Sequence, residues 1–556
     1  MSGTMLRLVP RHVAVLVLPC TLPLALFAQQ PDDSTRAEVD RVFAQWNRTD
    51  SPGCAVGVGR GGKVVYEKGY GMSNLEDDVA IRPNSIFHVA SVSKQFTAMA
   101  IMLLARDGKL SLDDDIRKYL PEIRDYGHVI TIRHLLTHTS GLRDQWDLLT
   151  FARGRFSEDR VTEADVLDIV SRQKSLNFVP GTEYLYSNTG FTLLGTIVRR
   201  VSGKSLRDFA DERIFRPLGM EQTHFHDDYT MVVPGRTSAY LRGADGKWHV
   251  RIPNFDTYGA TSLFTTVGDL LKWEANFEHP VVGDAKLLTD MQTSAVLANG
   301  DTTGYGYGIV TEVYRGARLV DHNGADAGYR SFVGRFPRHD LAIAVACNGL
   351  VNTGAVARAV ADLYIGNQLA AVEPTATSQA KLSAEELAAK AGVYVNLATG
   401  NPGWITVHDG NLVLGRTTGP MLIPLSESRF RVTGAPAELE FKANGVVTQT
   451  SLSWPPRHPV TMVRWTGAML TPTRAELSRY AGTYYSEELD ATYTVTATDS
   501  TLLLRTRAVE PRTVRPEYGD VFSGDVLLEF TRDAKRSVNG MLMSSGRVRR
   551  VVFAKR

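Results

Sequence analysis

Apolar positions recur along this chain in changing rhythms, and each change of rhythm marks an architectural boundary. Val39, Val42, Phe43 and Trp46 fall at helical spacing and predict a leading helix over 31–50. Two strands are predicted next, Ala55 to Val58 and Lys63 to Lys68, around a turn at Gly61-Gly62. A helix begins at Ser91 and runs through Phe96, Met99, Met102 and Leu103, with Gly108 placed for its C-cap. From about 112 to 230 the pattern is mainly helical. After Gly324 come strand-like runs from Tyr329 to Phe336 and from Leu341 to Cys347, then a helix to about Leu369. Strands at both ends of this stretch flank a helical middle, which predicts one sheet shared by first and last strands with helices as a separate layer.

Residues 371–383 read as a linker, and beyond it the rhythm shortens to alternating strands and turns. The segment is internally repeated. Leu387, Gly392 and Tyr394 match Leu477, Gly482 and Tyr484; further on, Val407 and Leu412 match Val495 and Leu502, and Phe430 matches Phe522. Residues 384–470 and 471–556 are therefore expected to form two small antiparallel β-barrels, which leave no open sheet edge. One barrel built from two half-repeats is the alternative. A loop from residues 384–556 is expected to reach back onto the preceding domain; the alternative is that the repeats are passive spacers or a binding module.

Composition adds a compartment. The only long apolar segment lies at the start, where Arg7 and Arg11 precede a run from Val13 to Phe27 and Ala28 closes it. Pro19 and Pro23 interrupt the run, so residues 1–28 read as a secretory signal rather than a membrane span. A periplasmic or secreted protein is expected, and a lipoprotein anchored at Cys20 fits poorly. Without that segment the basic and acidic side chains balance, which offers nothing to nucleic acid or an anionic membrane. Cys54 and Cys347 remain, either paired or separately buried.

Three short constellations carry candidate chemistry. Ser91-Val92-Ser93-Lys94 puts a hydroxyl and an amine three residues apart, on one helix face, near free helical N–H groups. Tyr186-Ser187-Asn188 follows a turn at Pro180-Gly181; Tyr186 is a base only if cations such as Lys94 lower its pKa. In Asp321-His322-Asn323-Gly324-Ala325, Gly324 allows a close backbone approach, and the alternative is a hairpin turn at Asn323-Gly324. A metal pair at His134 and His138 lacks the glutamate of a zinc-protease motif, and His224 and His226 read as a solvated loop. No dinucleotide fingerprint or P-loop occurs in a strand-to-helix context.

In this order, and with Ile130-Thr131-Ile132-Arg133-His134-Leu135-Leu136-Thr137-His138-Thr139-Ser140-Gly141-Leu142, Pro217-Leu218-Gly219-Met220 and Tyr305-Gly306-Tyr307-Gly308 around them, these motifs resemble the serine β-lactamase and penicillin-binding-protein superfamily. The similarity spans about 35–370 and is greatest to class C β-lactamases, D-aminopeptidases, alkaline D-peptidases and related esterases. Thr261-Ser262 departs from it, standing where many relatives have glycines. The resemblance implies an α/β (α+β) domain over 31–370, an antiparallel sheet flanked by helices plus an all-helical subdomain, with the site between them. It implies that Ser91 forms an acyl-enzyme and that Lys94 and Tyr186 share proton transfer. Asn188, His322, Gly324 and Ala325 then line the substrate site, with the N–H groups of Ser91 and Ala325 as oxyanion hole. No cofactor or metal is needed.

The expected function is an exported serine hydrolase of small or D-amino-acid-containing peptide amides or esters, cell-wall peptides among them. His322 stands where many relatives carry lysine, which weakens the case for an anionic substrate end, although Arg330 is near enough in sequence to replace the charge. The alternatives are a class C-like β-lactamase or D-Ala-D-Ala carboxypeptidase, and a non-catalytic cell-wall binding or sensing protein.

Overall fold

Six strands form the central antiparallel sheet: β1 (Cys54–Arg60), β2 (Lys63–Tyr70), β3 (Val310–Tyr314), β4 (Ala317–Asp326), β5 (Tyr329–Phe336) and β6 (Leu341–Cys347). Their order is β3-β4-β5-β6-β1-β2, so the first and last strands of the domain lie side by side. The computed structural model describes residues 1, 33–154, 159–253, 255–371, 380–435, 437–451, 458–467, 471–507 and 510–556. The expected signal segment, Met1 apart, and most of the 371–383 linker lie outside them.

Strand alternation gives the sheet two different faces. Val56, Val58, Ile343 and Val345 join Val39 and Phe43 of helix α1 (Asp33–Phe43) and Val356 and Val360 of a C-terminal helix, α6 (Thr353–Ile365), in one apolar cluster. The opposite face carries the small residues Ala55, Ala344 and Ala346, which join the main core with Leu270 and Leu271 of helix α5 (Val267–Ala275). Helix α2 (Ser93–Arg106) is buried all round through its first twelve residues, as befits an element between sheet and helical layer. Behind it lie α3 (Gln145–Arg153) and α4 (Asn188–Ser202).

Cys54 and Cys347 face each other across β1 and β6 and form a disulfide that closes a separation of 293 residues. Cross-linking so long a loop restricts the unfolded chain, so reduction is expected to lower unfolding stability by about 2–4 kcal/mol. Denaturant titration with and without reductant, beside a Cys54→Ser variant, measures it; coincident midpoints would exclude a stabilising cystine.

Beyond the linker the chain forms two closed eight-stranded barrels, not one. The first runs from Gly392–Asn396 to Val460–Arg464 and the second from Gly482–Ser486 to Val551–Lys555. The repeat is structural down to single bonds: the Tyr394 and Tyr484 hydroxyls each donate to the carbonyl four residues back, that of Lys390 or Tyr480. One pairing read from the sequence is corrected. Gly392 lies opposite Ile405 as Gly482 lies opposite Val495, so buried Ile405, not exposed Val407, is the counterpart of Val495.

The second barrel shares an apolar core with the sheet-and-helix domain that precedes the linker. Its docking centre is a fully buried ion pair, Arg143 Nη1 to Glu488 Oε2 at 2.9 Å. The same guanidinium donates to the carbonyls of Arg549 and Arg550, and Glu488 also accepts from the Lys174 N–H. The Tyr493 hydroxyl donates to the Phe151 carbonyl on α3.

Candidate active site

Ser91 sits in a short 3₁₀ turn, Ala90–Val92, immediately before α2. Ala90 takes a left-handed conformation (φ 47°), a costly backbone choice for a residue with a Cβ. Lys94 follows on the first turn of α2, and its side chain is completely buried. Its Nζ lies 3.1 Å from Ser91 Oγ, 2.9 Å from Asn188 Oδ1 and 2.6 Å from the Ala260 carbonyl. Burial pushes the Lys94 amine well below its usual pKa.

A neutral amine has two N–H donors and one lone pair. Asn188 Oδ1 and the Ala260 oxygen can only accept, so they take both hydrogens. The lone pair is left for the Ser91 hydroxyl, the arrangement a general base requires. The Asn188 amide is oriented in turn by Asp144, whose Oδ2 accepts from Asn188 Nδ2 at 3.0 Å and from the Asn188 N–H at 2.6 Å. Asp144 caps α3, accepting the Trp146 N–H on its other oxygen.

Tyr186 hydrogen-bonds Ser91, and its ring lies 4.9 Å from Lys94 Nζ. The expectation that Lys94 lowers its pKa is corrected. Burial pushes Lys94 toward its neutral form and raises the phenol, so Tyr186 keeps its proton. His138 packs on that ring at 4.1 Å and accepts the Ser187 N–H at Nδ1, fixing the segment that carries Tyr186 and Asn188. It lies beyond the short helix Ile132–Leu136 with φ 57°, so it shares no helix face with His134.

Asn323 and Gly324 are not a turn but lie within β4. A Cβ at Gly324 would stand 2.2 Å from the Val89 carbonyl and 2.2 Å from Ser331 Oγ, so only glycine lets β4 approach the turn bearing Ser91. Gly308 serves the same purpose on the other side, where a Cβ would meet the Lys94 backbone at 2.7 Å. His322 is buried and neutral, its pKa pushed down to about 3. Its Nδ1 faces the Asn323 carbonyl at 2.6 Å and must donate there, leaving Nε2 to accept the Tyr305 hydroxyl at 2.9 Å.

Ser91, Tyr186, Asn188, His322, Gly324 and Ala325 all line one cleft of about 540 Å³, and Lys94 lies beneath it. Aromatic walls come from Trp146, Tyr184 and Tyr305. Three charged residues line the cleft: Asp326, which is engaged by His88 and Thr261, Arg330, and Arg547 from the second barrel. Thr261-Ser262 keeps the loop shape without glycine, since Ser262 adopts φ 74° and donates its hydroxyl to the Thr257 carbonyl. His224 and His226 are not a solvated loop; they pack around Phe264.

Sequence patterns missed Asp144, Ala260 and Arg547, and gave Tyr305 only within the Tyr305-Gly306-Tyr307-Gly308 motif, not as the partner of His322. Asp144 had a faint signal, an N-cap residue shortly after the segment around His138. Ala260 contributes only a carbonyl, and Arg547 lies more than 350 residues from Tyr186 in sequence, so neither had a local signature.

A family model described as Beta-lactamase matches residues 39–366. Penicillin-binding protein 4* of Bacillus subtilis is 28% identical over 413 residues, covering 68% of this chain and 88% of that protein. A D-aminopeptidase of Gluconobacter oxydans is 25% identical over 461 residues, covering 82% and 84%. The octameric penicillin-binding protein homologue from Pyrococcus abyssi superposes with a TM-score of 0.54 at 25% identity, covering 77% of this chain and 99% of its own.

Proposed function

The chain belongs to the beta-lactamase family and is a serine hydrolase; we propose that it is exported and cleaves amides or esters of small, D-amino-acid-containing peptides through an acyl-enzyme on Ser91. The observation that carries the mechanism is the placement of Lys94 Nζ within hydrogen-bond reach of Ser91 Oγ and of two pure acceptors, Asn188 Oδ1 and the Ala260 carbonyl; in its neutral form the amine gives both N–H groups to those acceptors and its lone pair to Ser91.

Ser91 Oγ attacks the substrate carbonyl carbon while its proton passes to Lys94 Nζ. The carbonyl oxygen becomes an oxyanion facing the N–H groups of Ser91 and Ala325. Tyr186, protonated and bonded to Ser91, gives its proton to the leaving nitrogen or oxygen as that bond breaks, and regains one from Lys94. Water then adds to the acyl-enzyme by the reverse transfers, releasing the acid and restoring Ser91.

Substrate choice rests on the cleft. A neutral His322 bonded to Tyr305 offers no fixed charge to a substrate carboxylate. Arg547 of the second barrel forms part of the wall of a cleft of about 540 Å³, a size that suits small acyl groups. The relatives named a D-aminopeptidase and a penicillin-binding protein fit that range. Export is supported by the cystine, which persists in oxidising compartments. Arg330 and Arg547 favour a second reading, a D-Ala-D-Ala carboxypeptidase or class C-like β-lactamase, because both cationic residues line the cleft.

A substrate panel separates them. D-aminoacyl amides and p-nitrophenyl esters are expected to exceed D-Ala-D-Ala peptides and a cephalosporin in kcat/KM by about tenfold or more. The reverse order would transfer the assignment to the second reading. No turnover of any member, with no fluorophosphonate labelling of Ser91, would remove the acyl-enzyme mechanism.

A further inference from the structure

Arg547 sits on the Ser545–Arg550 loop of the second barrel, yet its guanidinium points into the hydrolase cleft. Its carbon stands 5.0 Å from the Tyr186 ring centroid, and Nη1 is 3.9 Å from Asp144 Oδ2. The loop itself is held independently of that side chain. The Arg547 N–H and the Ser545 hydroxyl donate to Asp147 Oδ2, and the Arg547 carbonyl accepts from Asn177 Nδ2 at 2.9 Å and from the Asp144 N–H at 3.3 Å. The guanidinium is therefore presented to Asp144 by a fixed backbone.

We propose that Arg547 is a positioning residue of the active site: by pairing with Asp144 across the barrel interface it holds the Asp144–Asn188–Lys94 chain in register, so the acid–base apparatus is complete only when the second barrel is seated. The inference rests on the acyl-enzyme reading above.

Asp144 is fully buried, and its oxygens receive the Asn188 amide and two backbone N–H groups. Burial disfavours its ionised form, and Arg547 is the principal cation opposing that cost. An ionised Asp144 can only accept, which forces Asn188 to turn Oδ1 toward Lys94. A protonated Asp144 removes that constraint. The other titratable groups facing Lys94 are Tyr186, His138, and His322 and Asp326 of β4, from three different segments; Asp147 and Tyr184 face Asp144 and Tyr186. Burial holds both histidines neutral, and Asp326 is shared with His88 and Thr261. Arg547 is thus the cation that balances Asp144 at the heart of the site.

The sign of its removal is defined. Taking away the Arg547 charge, which lowers the Lys94 pKa directly, eases protonation of the amine. The acidic limb of the kcat/KM profile, where Lys94 gains its proton, then moves to higher pH.

The test uses the full-length protein and a neutral p-nitrophenyl ester. R547Q is expected to lower kcat about tenfold or more and move the acidic limb upward by about one pH unit. R547K is expected to restore most of both. R549Q, which removes the ion pair with Glu183 and the contacts with the Asn177 carbonyl and the Phe178 ring on the same docking face, is expected to leave the limb in place. An unmoved limb in R547Q, or a defect confined to KM for carboxylate-ended substrates, would overturn the proposal. Labelling of the parent protein by a fluorophosphonate, lost in S91A, keeps this outcome distinct from failure of the acyl-enzyme reading itself.

Discussion

Ser91→Ala is expected to cut kcat by about four orders of magnitude or more, and Lys94→Ala to cost nearly as much. In the proposed mechanism the two act as one unit: Ser91 supplies the attacking oxygen, and Lys94, with Asn188 and Ala260 as acceptors for its N–H groups, takes the proton. The double variant should therefore be no worse than either single one, a non-additivity that marks a shared step. Ester hydrolysis and fluorophosphonate labelling of the three variants and the parent measure it. The pH dependence follows from the depressed Lys94 pKa. Activity is present above that pKa, where the amine is neutral, and is lost as pH falls through it. Independent, multiplicative defects in the double variant would remove Lys94 from the role of base.

Glu488→Ala should be the most damaging single change to stability. It leaves the Arg143 guanidinium, 1% exposed, without its carboxylate partner in a closed interface. Breaking a buried pair from one side costs about 3–5 kcal/mol, most of it the stranded charge. Replacing both partners by apolar residues, Arg143→Met with Glu488→Leu, should recover much of the loss, because no charge is then left unpaired. Denaturant unfolding of the single and double variants tests this. The coupling matters for function as well, since the barrel strands around Glu488 carry Arg547 to Asp144. A Glu488→Ala protein with parental stability and parental activity would show that barrel seating rests elsewhere.

Elements set by local pattern were legible. Tyr329–Phe336 and Leu341–Cys347 have the bounds that alternation and turn residues suggest, because a strand of eight or seven residues declares itself within its own length. The repeat was legible as well, since each unit repeats the same leucine, glycine and tyrosine positions. Its register slipped at Val407, where neighbouring apolar residues offer alternative alignments and only pairing with Gly392 selects Ile405. The Asn323-Gly324 pair shows the limit from the other side. It carries a turn signature, yet continues a strand, because the glycine is required by the Val89 carbonyl pressed against it and not by a turn.

The sequence by itself determined the chemistry on offer. Ser91 and Lys94 lie within one helical turn, and the segments bearing Tyr186, Asn188, His322 and Gly324 announce themselves by residue type and order. Tertiary structure alone decided how that chemistry is tuned. It paired Cys54 with Cys347, pushed the Lys94 pKa down and the Tyr186 pKa up, and brought Asp144, Ala260 and Arg547 around Lys94 and Asn188. The reason is physical: covalent spacing fixes which groups are neighbours within a turn, whereas a pKa depends on desolvation and charges from every element packed around the group. Those surroundings here include a barrel encoded more than 350 residues after Tyr186 for its decisive arginine.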